Sequence, residues 1–229
     1  MLEARKKISK KQIKEDKLVT SYYKIQNFFL ENQARILIGI GVVAVIAVAI
    51  FLYSNKRASN NLAAGNMLAK AMPLYDEANY KEAISGVPAA HIDGLKKIVD
   101  EYGSTEQGET AKIYLANSYA MTNNNDAALE MYNDYSGSNS LFKGTALAGR
   151  AGILESKKEY EKAAGLFKDA ANVSKSNPSN PEYLFKAGVA YLEAGNKEEA
   201  KNAFDAIKKD YKNVAYMFEI DKYMTQIDM

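Results

Sequence analysis

Two acidic pairs and one histidine are the residues of this chain whose types could carry chemistry. Asp100-Glu101 and Glu198-Glu199 offer paired carboxylates, the equipment of general acid–base work or of a metal site. Neighbours on a helix point about 100° apart, so neither pair converges on one substrate atom. His91 is the single histidine and follows a Pro-Ala-Ala loop with no evident Ser or Asp partner, which leaves a proton relay or a multi-histidine metal site without its parts. Cysteine is absent, and with it disulfides, thiolate nucleophiles and cysteine-ligated metals. The stretch SGVPAAHIDG lacks the spacing of a phosphate loop. The chain reads as a non-enzyme without a cofactor or metal, with its charged pairs explained as solvated helix faces.

The elements that would position a functional surface begin with Ile36 to Tyr53, ILIGIGVVAVIAVAIFLY, which holds no charge and no strongly polar side chain. As a helix the run covers about 27 Å, the thickness of a bilayer core. It is apolar all round, unlike a core helix of a soluble domain. It is also longer than the apolar part of a signal peptide and follows a charged tail. The expectation is a single membrane anchor. Gly39, Gly41, Ala44 and Ala47 give it small residues without a GxxxG pair, a weak signal for helix pairing.

Charge divides across that run. Residues 1–35 carry nine Lys/Arg against four Asp/Glu, and residues 58–229 carry nineteen against twenty-four. Basic short flanks stay on the cytoplasmic side while long domains translocate. That places the tail inside and the large domain outside the bacterial inner membrane, in the periplasm. The large domain has no basic cluster, which argues against nucleic acid. Residues 1–12, MLEARKKISKKQ, are too basic and apolar-poor to fold alone. Beyond them Leu18, Tyr22, Ile25 and Phe29 fall on one helical face, with Lys14, Lys17 and Lys24 mainly outside it. This reads as an amphipathic helix on the membrane surface.

After the anchor one spacing recurs. Ala116, Tyr119, Ala128, Tyr132 and Tyr135 are matched by Ala151, Leu154, Ala163, Phe167 and Ala170. They are matched again by Gly188, Tyr191, Ala200, Phe204 and Ile207. The rings Tyr132, Phe167 and Phe204 stand 35 and 37 residues apart. Each unit is a helical hairpin in which small residues let two helices approach and rings fill the gaps; TNNND, SKKEY and AGNKEE make the turns. The pattern resembles the tetratricopeptide repeat (TPR) over residues 106–211. An earlier unit looks degenerate. A first helix near Asn60–Ala78 is followed by YKEAISGVPAAHID as an insertion, then by a second helix near Gly94–Tyr102 with Ile98 in register. Val214 to Ile227 reads as a cap helix.

The fold expected is all-α, a single N-terminal transmembrane helix followed by a TPR-like α-solenoid. Its parts are a tail over 1–35, the span over 36–53, a degenerate unit over 58–105, three repeats over 106–211 and a cap over 212–229. In a TPR solenoid the first helices line a peptide-binding groove. Positions three before and one after each small residue are assigned to it: Ile113, Asn117, Ala148, Gly152, Phe185 and Val189, with Thr110, Glu155 and Glu182 nearby. The competing reading covers these residues with the insertion, the cap or another copy. TPR modules that hold a C-terminal carboxylate use Lys or Arg with Asn, and only Asn117 matches in kind.

The order of basic tail, anchor and acidic repeat domain resembles the YfgM-like inner-membrane proteins, and more closely anchored TPR proteins of that layout in Bacteroidetes-type bacteria. The resemblance rests on the anchor, IVDEYGSTEQGETAKIYLANSY (98–119), YLEAGNKEEAKNAFDAIKKDY (191–211) and EIDKYM near the end. It implies an ancillary component of the Sec translocon that presents its repeats to emerging chains or periplasmic chaperones. A scaffold subunit of another envelope complex is the alternative.

Overall fold

The computed structural model describes residues 10–211 and 214–228, with side chains over 19–211 and 214–227. The basic segment 1–9 and the side chain of Leu18 lie outside the described residues. The chain forms two compact units, Met1–Lys56 and Arg57–Met229. Helix α1, Lys10–Asp76, contributes to both.

In the first unit no break separates the amphipathic stretch from the apolar run; both lie within α1. A helix satisfies its own backbone, which is why this geometry can cross lipid. From Leu37 to Tyr53 every large apolar side chain is more than half exposed. Burying one such side chain is worth about 1.5–3 kcal/mol, so a helix apolar on all sides requires an apolar surrounding. It is long and apolar enough to span a membrane.

The second unit opens with the last turns of α1 and continues through α2 (Tyr80–Ser85), α3 (Leu95–Tyr102), α4 (Glu106–Met121) and α5 (Asn125–Asp134). There follow α6 (Ser140–Ser156), α7 (Tyr160–Asn172), α8 (Asn180–Glu193), α9 (Lys197–Asp210) and α10 (Met217–Asp228). Successive helices pack as antiparallel hairpins, α4 on α5, α6 on α7, α8 on α9, each hairpin against the next.

The hairpin turns show how many repeats there are. Ala78, Asn123, Lys158 and Gly195 all hold left-handed backbone, φ 61°, 59°, 62° and 81°. After each, the next residue's N–H donates back to the first helix: Asn79 to Leu74 O, Asn124 to Tyr119 O, Glu159 to Leu154 O and Asn196 to Tyr191 O, at 2.8–2.9 Å. Each left-handed residue donates to the carbonyl three before it, completing a Schellman cap. The four capping residues then accept from Ala83, Ala128, Ala163 and Ala200, opening the second helix. Four identical turns mean four repeats. The first is complete, with Ala71, Leu74 and Ala83 in the slots of Gly188, Tyr191 and Ala200.

The insertion does not separate the two helices of that first repeat. It interrupts the second. The chain leaves the helix after Ser85, pairs Gly86–Val87 (β1) with Ile92–Asp93 (β2) around a 3-10 turn at Pro88–Ala90, and resumes at Leu95. If the excursion Gly86–Asp93 is skipped, Leu95 and Ile98 fall four and seven residues after Ala83. Phe204 and Ile207 stand at the same distances from Ala200. Leaving and re-entering one helix brings two backbones together, and only glycines permit it. A Cβ on Gly86 would lie 2.6 Å from the Gly94 nitrogen, and Gly86 sits at φ +84°. Leu95 and Ile98 are fully buried with Ala64, Leu68, Ala71 and Ala83 on one side and Ala111 and Leu115 of α4 on the other.

Gly195 is the one turn residue suited to its backbone. Gly195→Ala should lower stability by about 1 kcal/mol, read as a fall in the denaturant midpoint with unchanged slope. Lys158→Gly, at the equivalent turn, should raise it or leave it unchanged.

Candidate functional site

The first helices of the four repeats are the last turns of α1, α4, α6 and α8. Their inward faces carry the small residues Ala71, Ala116, Ala151 and Gly188, all buried. Positions three before the small residues prove to be interior. Ile113 is 1% exposed and shares a cluster with Ala146 of the next first helix, α6. Phe185 is half-buried beneath α10, its ring 4.7 Å from that of Tyr216 and 6.2 Å from that of Tyr223. Ala148 is half-buried at the same register, packed on the cores formed with α7 and α8. The physical reason is common to all: this side of a first helix is where the following first helix, or α10 at the end, must stack. Assigning Ile113 and Phe185 to an open groove is therefore corrected.

The open face is the one carrying Asn117, Gly152 and Val189, each at least partly exposed. A Cβ on Gly152 would meet nothing within 4 Å. Sequence reasoning missed the residues two before the small position. On α4 this is Tyr114, one turn from Asn117, and it begins an aromatic row. Tyr114 lies 4.9 Å from Tyr75 of α1 and 6.2 Å from Phe142 of α6, both edge-on. Tyr75 continues to Tyr80 at 5.6 Å, and Phe142 to Tyr135 at 6.5 Å. Asn117 lies beside this row: its Nδ2 donates to Tyr75 Oη at 3.1 Å, and its Oδ1 accepts from Tyr132 Oη at 2.6 Å. Tyr132 reaches that position over Gly149, where any side chain would strike its ring. Asn117 is thus committed to tying three helices together. An i, i+3 pairing of Tyr114 with Asn117 was the available signal for this face.

At the start of α4 a cleft of about 330 Å³ is lined by Arg57, Thr105, Glu109, Tyr135, Ser136 and Asn139, among others. Its groups are already engaged. Thr105 Oγ1 caps α4 by accepting from Gly108 N at 3.0 Å, and Arg57 donates to Ser104 O at 3.2 Å. Glu109 accepts from Ser136 N and Oγ and pairs with Lys112 at 3.1 Å; Lys112 also meets Asp134 at 2.6 Å. Burial lowers the Lys112 ammonium's titration point, but hydrogen bonds from Asp134 and Glu109 outweigh it, so it titrates above its ordinary value. The arrangement locks the α5–α6 connector onto α4. Among the described residues no cluster of three or more Asp, Glu or His could hold a metal ion.

The model of the tetratricopeptide repeat-like domain matches residues 26–221, most of the chain, taking in the apolar run as well as all four repeats. The chain belongs to the tetratricopeptide repeat-like domain family. No curated protein matches it. A TPR domain is a protein–protein interaction module, and TPR domains are generally non-catalytic. Here the TPR domain leaves its first-helix face open in the first three repeats, while α10 closes the end.

Two measurements test this geometry. Phe185→Glu should cost about 3 kcal/mol or more in unfolding free energy, because it puts a carboxylate among three rings. Burial holds the Tyr132 phenol well above its ordinary value, so the folded state keeps a proton that the unfolded state loses. That stability is complete below about pH 10 and falls as pH rises further. The denaturant midpoint should drop between about pH 9 and 11, and less steeply in Tyr132→Phe.

Proposed function

We propose that this protein is a membrane-tethered TPR adaptor of the YfgM-like kind, ancillary to the Sec translocon, whose repeats meet emerging chains or periplasmic chaperones. The observation supporting it is an interaction face left open in a chain that also carries a helix requiring lipid. A tether of this sort raises the effective concentration of the face for partners in the same membrane, without any new contact.

In this reading Ile36 to Tyr53 spans the inner membrane, the basic N-terminal tail stays in the cytoplasm and the TPR domain is periplasmic. Tyr22, Ile25 and Phe29 are 57–65% exposed on α1 and, with Leu18, rest in the headgroup region of the cytoplasmic leaflet. Asn117, Gly152, Glu155 and Val189 belong to the partner-facing side of the repeats. The resemblance to anchored TPR proteins of the Bacteroidetes-type bacteria supports this placement.

The test is crosslinking in intact cells, followed by gentle-detergent purification of the full chain and mass spectrometry of the crosslinked residues. Translocon subunits crosslinked within residues 19–53, with clients or chaperones crosslinked to the repeats, are the expected result. A different envelope complex recovered in stoichiometric amount would discard the adaptor and establish a scaffold subunit.

A further inference from the structure

The open face has a one-sided charge that its own helices disfavour. The C-terminal end of a helix carries partial negative charge and favours Lys or Arg in its last turn. None of the four first helices has a basic residue there. Three carry an acid at or near that end instead: Asp76 on α1, Glu155 on α6 and Glu193 on α8. None of these three has an ion-pair partner among the described residues, and Asp76 and Glu193 are exposed. The face's remaining acid, Glu182, is paired with Lys186 at 2.8 Å. The second helices differ. There lysines and acids alternate and pair, as in Lys96 with Asp100, Lys168 with Glu199 and Lys208 with Asp221. The last turn of α9 carries Lys208 and Lys209, as its dipole favours.

Acids set against the helix dipole on one face, and on that face only, lie beside the row of Tyr75, Tyr114 and Phe142. A ring face attracts a cation, Arg above Lys, and free carboxylates complete its coordination. We propose that the first-helix face takes a cationic protein segment, with Arg or Lys side chains over the tyrosines and against Asp76, Glu155 and Glu193. Apolar residues of the segment would settle where Gly152 leaves open space. This rests on the reading of the face as the module's partner surface, and it adds the partner's chemistry.

The experiment uses the full chain in neutral phosphatidylcholine nanodiscs, with empty nanodiscs as reference. Fluorescein-labelled Arg/Leu, Lys/Leu, Gln/Leu and Glu/Leu peptides of equal length are titrated and read by anisotropy. Arg/Leu should bind best, Lys/Leu next and Glu/Leu not at all, with Arg/Leu weakening as salt rises. The triple variant Asp76→Asn, Glu155→Gln, Glu193→Gln should weaken Arg/Leu about tenfold and leave Gln/Leu unchanged. Circular dichroism on the same samples establishes that the variant is folded. Equal binding of Arg/Leu and Gln/Leu would overturn the cationic partner while leaving the binding face intact. Binding of no peptide by the folded protein would overturn both the cationic partner and the partner surface it rests on.

Discussion

The TPR domain depends on rings of the second helices fitting over small residues of the first. Phe204 on α9 lies so close to Gly188 on α8 that a Cβ there would meet its ring at 2.5 Å. Tyr132 uses Gly149 of the following repeat in the same manner. Close helix approach is what brings the Schellman-capped turns into register, because each capping residue must reach back to one helix and start the other. It also decides which faces remain. Once rings and small residues fill the inside, and the next repeat covers the side, a single strip of each first helix stays open.

Much of this was legible in the amino-acid order. The apolar run reads directly as a lipid-demanding helix, since no arrangement of Ile36–Tyr53 could present a polar face to water. The small-ring-Ala-ring spacing reads as stacked hairpins, because it records contacts repeated at a fixed interval. The first repeat was harder to see, for a physical reason. Its second helix is cut by the Gly86–Asp93 excursion, so its buried pair, Leu95 and Ile98, is displaced from Ala83 by eight extra residues. Aligning Ile98 with Tyr132 by distance alone assigns it one turn away from its structural slot. The turn at Ala78 resolves the matter, and nothing in the residue Ala announces left-handed backbone.

The interaction face was half legible. Asn117, Gly152 and Val189 were assigned to it from their position one after each small residue, and they do lie at the surface. Ile113 and Phe185 were not separable from them by type or spacing. Which side of a first helix faces the groove and which faces its neighbour is a difference of about one residue step around the helix. Only the stacking angle sets that choice. Tyr75 and Tyr114 went unassigned because rings in a repeat protein are usually core, and these two are half-buried yet still line the open side.

Asn117 shows how stability and function share this surface. It looks like a ligand-binding asparagine, but both ends of its carboxamide are spent on Tyr75 and Tyr132. Removing it would leave the buried Tyr132 hydroxyl without an acceptor, a cost of about 1–3 kcal/mol. Polar groups that hold the repeats together are saturated in this way, as Glu109 and Lys112 also are. The acids at the ends of α1, α6 and α8 are different in kind. They stabilise nothing visible in the chain and oppose the helices that carry them. A charge that works against its own helix is better explained by what it meets from outside than by what it holds within.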